Sequence, residues 1–255
     1  YEETYDTLLI ATGSRPIMPP IPGVDGPKVM PLWTMGDMDR IIEAATGAKS
    51  VAVLGAGFVG LEAAENLHER GLKVHLVDME EHVLRTMDGE MATLIEQELE
   101  GQGIELHLGR TATAIVPVTE TGGTKVVLNT GETLPTDFVL MSVGVRPNSE
   151  LAAEAGLELS EGQGIVVDEH QRTSDPDIYA VGDAVSVHDP VTGKAAMIPL
   201  AGPANRQGRI AADAMFGRQT TYKGSLGTSV IRVFDLTAAN VGRTAAQLAA
   251  ADMPY

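Results

Sequence analysis

A glycine-rich turn between a predicted strand and a predicted helix constrains the fold of this chain most strongly. The apolar run "SVAVLG" is followed by "FVGLEAAENLHERG", which has the apolar spacing of a helix, and Gly55, Gly57 and Gly60 form the pattern GxGxxG. Gly55 permits a tight turn, Gly57 lets the backbone approach a pyrophosphate, and Gly60 lets helix and strand pack closely. The helix N-terminus offers N–H groups and a partial positive charge to phosphates. The sequence therefore predicts a dinucleotide-binding βαβ unit.

An acidic residue at the end of the next predicted strand indicates which dinucleotide binds. Asp78 ends "KVHLVD", about where the ribose-binding acid of this motif lies. A carboxylate accepts hydrogen bonds from both ribose hydroxyls and repels a 2′-phosphate, and residues 79–81 bring no Arg or Lys to receive one. We therefore predict NADH rather than NADPH. The alternative is that the glycines serve only a tight turn and that Asp78 only ends a strand.

Glu62 follows the third glycine by two residues. We place it on the first turn of the helix, where an acid stabilises the helix dipole. Geometry alone leaves this structural interpretation and a functional one equally open.

A second aspartate occupies a similar position more than a hundred residues later. In "TSDPDIYAVGDA", Asp183 follows a short predicted strand, Ile178–Val181. Open α/β sheets bind ligands outside the carboxyl ends of their strands. The chain therefore contains parts of two nucleotide-binding units.

Composition narrows the class of partner. The net charge of −17 argues against nucleic acid or an anionic membrane as partner, because both repel an acidic surface. A small-molecule substrate is expected instead. The chain has no cysteine, no signal peptide and no apolar run of transmembrane length, so we expect a cytoplasmic location.

Histidine spacing predicts no metal site. The sequence contains neither HxxxH nor HExxH, so surface or strand-face histidines are the favoured interpretation. The histidines are His68, His75, His82, His107, His170 and His188.

Local patterns predict the remaining elements. Residues 5–11 read as a strand, residues 14–27 as a linker too rich in Pro and Gly for any regular element, and residues 37–46 as a helix. Residues 111–135 read as a β-meander, and "TSVIRVFDLTAANVG" as further strands.

Five segments, in this order and spacing, resemble the flavin-dependent pyridine nucleotide-disulfide oxidoreductases, most nearly the coenzyme A disulfide reductase and NADH oxidase/peroxidase branch. The segments are "LLIATGSRP", "VAVLGAGFVGLEAAENL", "SVGVRPN", "TSDPDIYAVGDA" and "PLAGPANRQGR". The resemblance implies an enzyme that passes electrons from NADH through FAD to a coenzyme A-type disulfide or persulfide, or to dioxygen or peroxide.

The resemblance also assigns residues to two sites. Glu62 would lie near the nicotinamide and flavin N5, which makes it the candidate catalytic residue, while Asp183 would bind the flavin ribityl chain. The helix from Ala201 would point its N-terminus at the flavin N1–O2 edge. The implied NAD residues are Gly55, Gly57, Phe58, Val59, Gly60, Glu62, Asp78, Val143 and Gly144. The implied FAD residues are Ala11, Thr12, Gly13, Gly182, Asp183, Ala201 and Gly202.

The implied fold is α/β, with a Rossmann-like NAD domain (parallel sheet plus β-meander) inserted in a second Rossmann-like FAD domain. The implied bounds are 1–30 for the crossover from the first half of the FAD domain, 31–147 for the NAD domain, 148–223 for the second part of the FAD domain, and 224–255 for the start of an α+β dimerisation domain. We expect the chain to be an internal fragment of a homodimeric protein whose redox cysteine lies outside it.

Two other functions stay open at this stage. The first is an NADH-dependent rubredoxin or ferredoxin reductase without a redox cysteine. The second is a non-enzymatic module that senses NADH.

Overall fold

The computed structural model describes residues 2–118 and 122–255, which form two compact units. Unit 1 comprises the residues up to Arg15 together with Val145–Thr228 and Val241–Tyr255. Unit 2 comprises Pro16–Gly144 and Ser229–Asn240. Within the described part of the chain, no helix combines the length and the apolar character needed to cross a membrane.

The strands are β1 (Leu8–Ile10), β2 (Ser14–Pro16), β3 (Val29–Pro31), β4 (Ser50–Leu54), β5 (Lys73–Val77), β6 (Glu105–His107), β7 (Ala112–Val118), β8 (Gly123–Leu128), β9 (Thr133–Thr136), β10 (Phe138–Met141), β11 (Val145–Pro147), β12 (Ile165–Val166), β13 (Ile178–Ala180), β14 (Val185–His188), β15 (Ala195–Ala196), β16 (Ser229–Val233) and β17 (Leu236–Asn240). The α-helices are α1 (Met35–Ala45), α2 (Phe58–Glu69), α3 (Gly89–Gly101), α4 (Glu150–Glu154), α5 (Ala201–Met215) and α6 (Ala245–Ala249), and Gly182–Ala184 form a 3₁₀ turn.

Unit 2 is built on a five-stranded parallel sheet in the order β3-β10-β4-β5-β6. Because strand side chains alternate between faces, Val51 and Val53 pack with the helices on one face. Ala52 and Leu54 pack against the antiparallel strands β7-β8-β9 on the other face. This arrangement confirms the predicted α/β class and the β-meander, whose residues 119–121 lie outside the described part.

The first helix of unit 2 begins two residues earlier than predicted. Thr34 caps it, because its Oγ1 accepts a hydrogen bond from the Asp37 N–H at 3.2 Å. Asp37 Oδ2 in turn accepts one from the Thr34 N–H at 2.8 Å. This reciprocal capping box fixes the helix start at Met35.

Unit 1 contains β1 and β13 as a parallel pair in which Leu8 lies opposite Ile178. A further sheet of unit 1 has the order β12-β14-β15. Ile178 and Ala180 face one apolar cluster, whereas Tyr179 packs in a second cluster with Ala211 of α5. Because side chains alternate along β13, this one short strand contributes to the apolar clusters on both of its faces.

The structure corrects two local predictions in the amino-terminal region. The first strand spans only Leu8–Ile10 rather than residues 5–11. The stretch predicted to hold no regular element begins with strand β2, Ser14–Pro16, which pairs with β11. Pro16 lacks an N–H donor, but it is tolerated because it is the last residue of a strand that has only one neighbour in its sheet.

The hairpin β16–β17 belongs to unit 2 by its packing. Ile231 and Val233 are buried with α2 and α3. The ring of Phe234 meets the edge of His68 at 5.8 Å between ring centroids. The domain bounds implied by the resemblance remain a prediction, because these units are defined by packing within this chain.

Candidate functional site

Two of the three fingerprint glycines are fixed by the packing of the protein itself. Gly55 has a φ of +106°, and a Cβ added there would lie 2.4 Å from the carbonyl oxygen of Ser142. A Cβ added to Gly60 would lie 1.8 Å from the carbonyl oxygen of Gly55. Both positions exclude a side chain: the backbone of Ser142 and Val143, after β10, lies against Gly55, and the start of helix α2 packs on the turn after β4 at Gly60.

Gly57 differs, because no atom of the described residues lies within 4 Å of a Cβ placed there. Its φ of −79° is open to any residue. Gly57 is also the N-cap of α2, and it provides no side-chain cap for the helix. The open space and the uncapped first turn, with Phe58 and Val59, together form a cradle that suits a phosphate.

Asp78 lies at the same turn and holds it in shape. Its Oδ2 accepts a hydrogen bond from the buried Ala56 N–H at 2.5 Å, and its Oδ1 accepts one from the Glu80 N–H at 2.9 Å. A carboxylate has about four lone-pair positions, so capacity for ribose hydroxyls remains. The sequence analysis predicted a ribose acid at Asp78 and missed that this side chain also anchors the glycine loop.

The segment after β10 borders the same loop. Ser142 Oγ lies 2.9 Å from the carbonyl oxygen of Leu54 and 3.0 Å from that of Gly55, and its single O–H is shared between these two acceptors. Val143 is partly exposed, and Gly144 has a φ of +113°, in the left-handed region that favours glycine. The sequence analysis predicted Val143 and Gly144 as site residues and did not consider Ser142.

Glu62 is an exposed residue on α2. The helix begins at Phe58, and its first turn contains no acidic residue, so our placement of Glu62 on the first turn was wrong. As the fifth helical residue it lies in the second turn. The helix dipole acts mainly within the first turn, which removes most of the structural explanation for this acid.

The residues predicted to bind FAD lie together in unit 1. Residues 11–13 and Gly182 follow the carboxyl ends of the paired parallel strands β1 and β13. Asp183 Oδ2 accepts a hydrogen bond from Ser14 Oγ at 2.8 Å. Thr12 is held to the segment after β11, because its Oγ1 donates a hydrogen bond to the carbonyl oxygen of Asn148 at 2.6 Å.

Helix α5 joins this group through Gln207. Gly182 has a φ of +80°, and its N–H donates to Gln207 Oε1 at 2.8 Å. Leu200 caps α5 without a side-chain hydrogen bond, so the N–H groups of Ala201 and Gly202 receive no side-chain partner from the cap residue. The uncapped N-terminus of α5 suits an anionic group of a ligand. The Asp183 carboxylate suits the hydroxyl groups of the same ligand.

The structure also brings together three polar residues that sequence spacing did not connect. His75 Nδ1 lies 3.3 Å from His107 Nε2 and 3.0 Å from Glu105 Oε2. Burial, which outweighs the nearby charge of Glu105, lowers the pKa of His75 below its ordinary value. Lys73 and Glu105 form an ion pair at 2.7 Å, and the hydrogen bond with Lys73 lowers the pKa of Glu105.

The family model described as "Pyridine nucleotide-disulphide oxidoreductase" matches residues 1–208. The chain belongs to this family. The predicted fold class and the resemblance are thereby confirmed.

Similar proteins agree with this assignment. The NADH oxidase of Methanocaldococcus jannaschii is 39% identical over 250 residues, which are 96% of this chain and 54% of that protein. The structure of reduced Bacillus anthracis CoADR-RHD is 41% identical with a TM-score of 0.94, and the match covers all of this chain and 46% of that one. The structure of an NAD-dependent persulfide reductase from A. fulgidus is 38% identical with a TM-score of 0.93, and the match covers 98% of this chain and 46% of that one. The chain thus spans about half the length of these proteins.

Proposed function

We propose that the complete protein is an FAD-dependent oxidoreductase that takes electrons from NADH. The electrons pass through flavin to a coenzyme A-type disulfide or persulfide, or to dioxygen or peroxide. The open space at Gly57 carries this proposal, because packing requires the other two fingerprint glycines but not this one. In the GxGxxG turn between a strand and a helix, the middle glycine leaves room for a pyrophosphate to approach the backbone.

NADH is proposed to bind along the glycine loop of unit 2. Its pyrophosphate would lie over Gly57 and accept hydrogen bonds from the uncapped first turn of α2. Asp78 would accept hydrogen bonds from the adenosine ribose. Val143 and Gly144 would border the bound dinucleotide, where a small residue leaves room. Glu62 is proposed as a positioning residue at the nicotinamide end, since the helix dipole no longer explains it.

FAD is proposed to bind at the carboxyl ends of β1 and β13 in unit 1. Bound flavin supplies hydride acceptance and onward electron transfer. Asp183 would accept hydrogen bonds from ribityl hydroxyls, while Gln207 holds the Gly182 backbone in the required conformation. The N-terminus of α5, at Ala201 and Gly202, would stabilise negative charge on the flavin edge.

The thiol that such an acceptor requires is proposed to lie outside this segment, since the 255 residues contain no cysteine. The names of the similar proteins, which include an NADH oxidase and a persulfide reductase, support both kinds of acceptor.

An anaerobic titration of the intact protein with NADH tests the function. We expect the oxidised flavin absorbance to bleach with a stoichiometric amount of NADH. Coenzyme A disulfide, a persulfide or dioxygen, each added separately, should restore it at different rates, and the fastest identifies the acceptor. A purified protein without flavin, or a flavin that NADH does not reduce, would refute the proposal.

A further inference from the structure

A histidine–carboxylate cluster of His75, Glu105 and His107 lies at the β6 edge of the parallel sheet of unit 2. None of its residues belongs to the glycine fingerprint. Strands β5 and β6 pair so that His75 lies opposite Glu105 and Val77 opposite His107. Residues two apart on a strand point to the same face, so both members of β6 share the face of His75. Val77 packs toward the β-meander, which identifies that face.

We propose that His75, Glu105 and His107 bind a divalent transition metal ion, with Zn²⁺ as the best-matched ion. Two imidazoles and one carboxylate form a common zinc ligand set, and a water or a further carboxylate completes the coordination. This metal site is separate from the two proposed cofactor sites, because none of its three residues is assigned to the dinucleotide or to the flavin.

The distances between the ligand atoms match those around zinc. Two nitrogens at zinc–nitrogen bond length and tetrahedral angle are about 3.3 Å apart. His75 Nδ1 and His107 Nε2 are 3.3 Å apart, and Glu105 Oε2 is 3.0 Å from the same Nδ1. All three ligand atoms lie within 4.8 Å of one another. A metal ion could therefore bind with only small side-chain movements.

Hydrogen bonding alone satisfies this cluster poorly. His75 is buried, with 5% of its surface exposed, and its Nδ1 faces both His107 Nε2 and Glu105 Oε2. One ring nitrogen carries at most one proton, so it cannot donate fully to both neighbours. A cation between the three atoms accepts one lone pair from each of them.

The surrounding charges both oppose and support a cation. Lys73 Nζ lies 2.7 Å from Glu105 Oε1 and competes for the carboxylate, but the lysine side chain is 55% exposed and can move into solvent. Glu132, in the turn before β9, adds a second negative charge that acts on His75. Two carboxylates, Glu105 and Glu132, therefore face the single ammonium group of Lys73 around this cluster.

A bound metal would also fix the end of an edge strand. Strand β6 has only β5 as a neighbour in its sheet. The carbonyl oxygen of His107, its last residue, accepts a hydrogen bond from the Asp78 N–H at 3.2 Å. The metal site would therefore stabilise the strand end to which the proposed ribose acid is attached.

Zinc binding to the intact, chelator-treated protein tests the proposal. Isothermal titration calorimetry with Zn²⁺ would compare the parent with His107→Gln and Glu105→Gln. His82→Gln is the matched control, because His82 pairs with Glu96 alone at 3.1 Å. Loss of an outer-sphere partner already weakens metal binding about 10- to 100-fold, so loss of a direct ligand should weaken it at least tenfold. Lys73→Gln should tighten binding, because a competing cation is removed.

The expected result is one Zn²⁺ per chain that both ligand variants weaken and the His82 control does not. X-ray absorption at the zinc edge should show nitrogen and oxygen neighbours. Thermal unfolding of the metal-free variants checks that they fold, and Glu105 is exposed enough that its replacement leaves the core intact. Absence of saturable binding, equal binding by all variants, or a sulfur shell around zinc would overturn the proposal.

Discussion

Replacement of Asp78 by alanine tests the proposed dinucleotide site in two separable ways. The variant loses the acceptor for the buried Ala56 N–H, and an unpaired buried donor costs about 1–3 kcal/mol of folding free energy. It also loses the proposed hydrogen bonds to the ribose, and bonds to a charged acceptor contribute about 1.5–3 kcal/mol. We therefore expect NADH binding to weaken by roughly 1–3 kcal/mol, or about 5- to 150-fold in Kd.

The assay is a fluorescence titration of the intact protein with NADH and, separately, with NADPH. Asp78→Asn is the control for folding, since its side-chain oxygen can still accept from the buried Ala56 N–H, while the charge and the acceptor for the exposed Glu80 N–H are lost. Both variants should narrow the preference for NADH, because repulsion of the 2′-phosphate disappears. An Asp78→Ala variant that folds and binds NADH as tightly as the parent would show that Asp78 is not the ribose acid.

Three further predictions follow from the packing. Asp183→Ala should lower the flavin-to-protein ratio after gel filtration without changing NADH binding, and a variant that keeps all its flavin through dilution would rule out a dominant role for Asp183. Gly60→Ala should lose about 3 kcal/mol or more in urea unfolding, because its Cβ would overlap the carbonyl oxygen of Gly55, whereas unchanged stability would contradict the close packing. Burial tends to raise the pKa of Asp189, but the ion pair with Arg243 at 2.9 Å and further hydrogen bonds outweigh burial and lower it to about 2. A folded-state pKa below the unfolded value of about 3.9 stabilises the protein above pH 4 by about 2–3 kcal/mol, and this stabilisation is lost as the pH falls toward 2. The stability deficit of Asp189→Asn should therefore shrink in acid, and a deficit independent of pH would contradict the assignment.

The sequence predicted the glycine loop and its sheet well because their signals are local. Turn, strand and helix around Gly55 are encoded within about twenty residues, and the predicted ribose acid ends the next strand. The start of α1 was misplaced by two residues, although Thr34 and Asp37 carry the capping-box spacing that could have located it.

The features that the sequence analysis missed, strand β2 and the histidine–carboxylate cluster, depend on strands that pair across long distances in the chain. Strand β2 forms because Ser14–Pro16 meets a partner more than a hundred residues away, and a Pro-rich stretch gives no local sign of this. The two histidines of the candidate zinc site are also far apart in the chain. Only the register of β5 and β6 brings His75 and His107 together with Glu105.

Flavin reduction by NADH in a Gly57→Ala variant tests the central claim most directly. The added methyl meets no protein atom within 4 Å, and the backbone angle accepts alanine, so stability should match the parent. If the dinucleotide pyrophosphate approaches this backbone, the methyl occupies its space. In anaerobic stopped-flow measurements on the intact protein, we expect the NADH concentration for half-maximal flavin reduction to rise at least tenfold, with the melting temperature unchanged. A half-maximal concentration equal to that of the parent would contradict NADH binding at this loop.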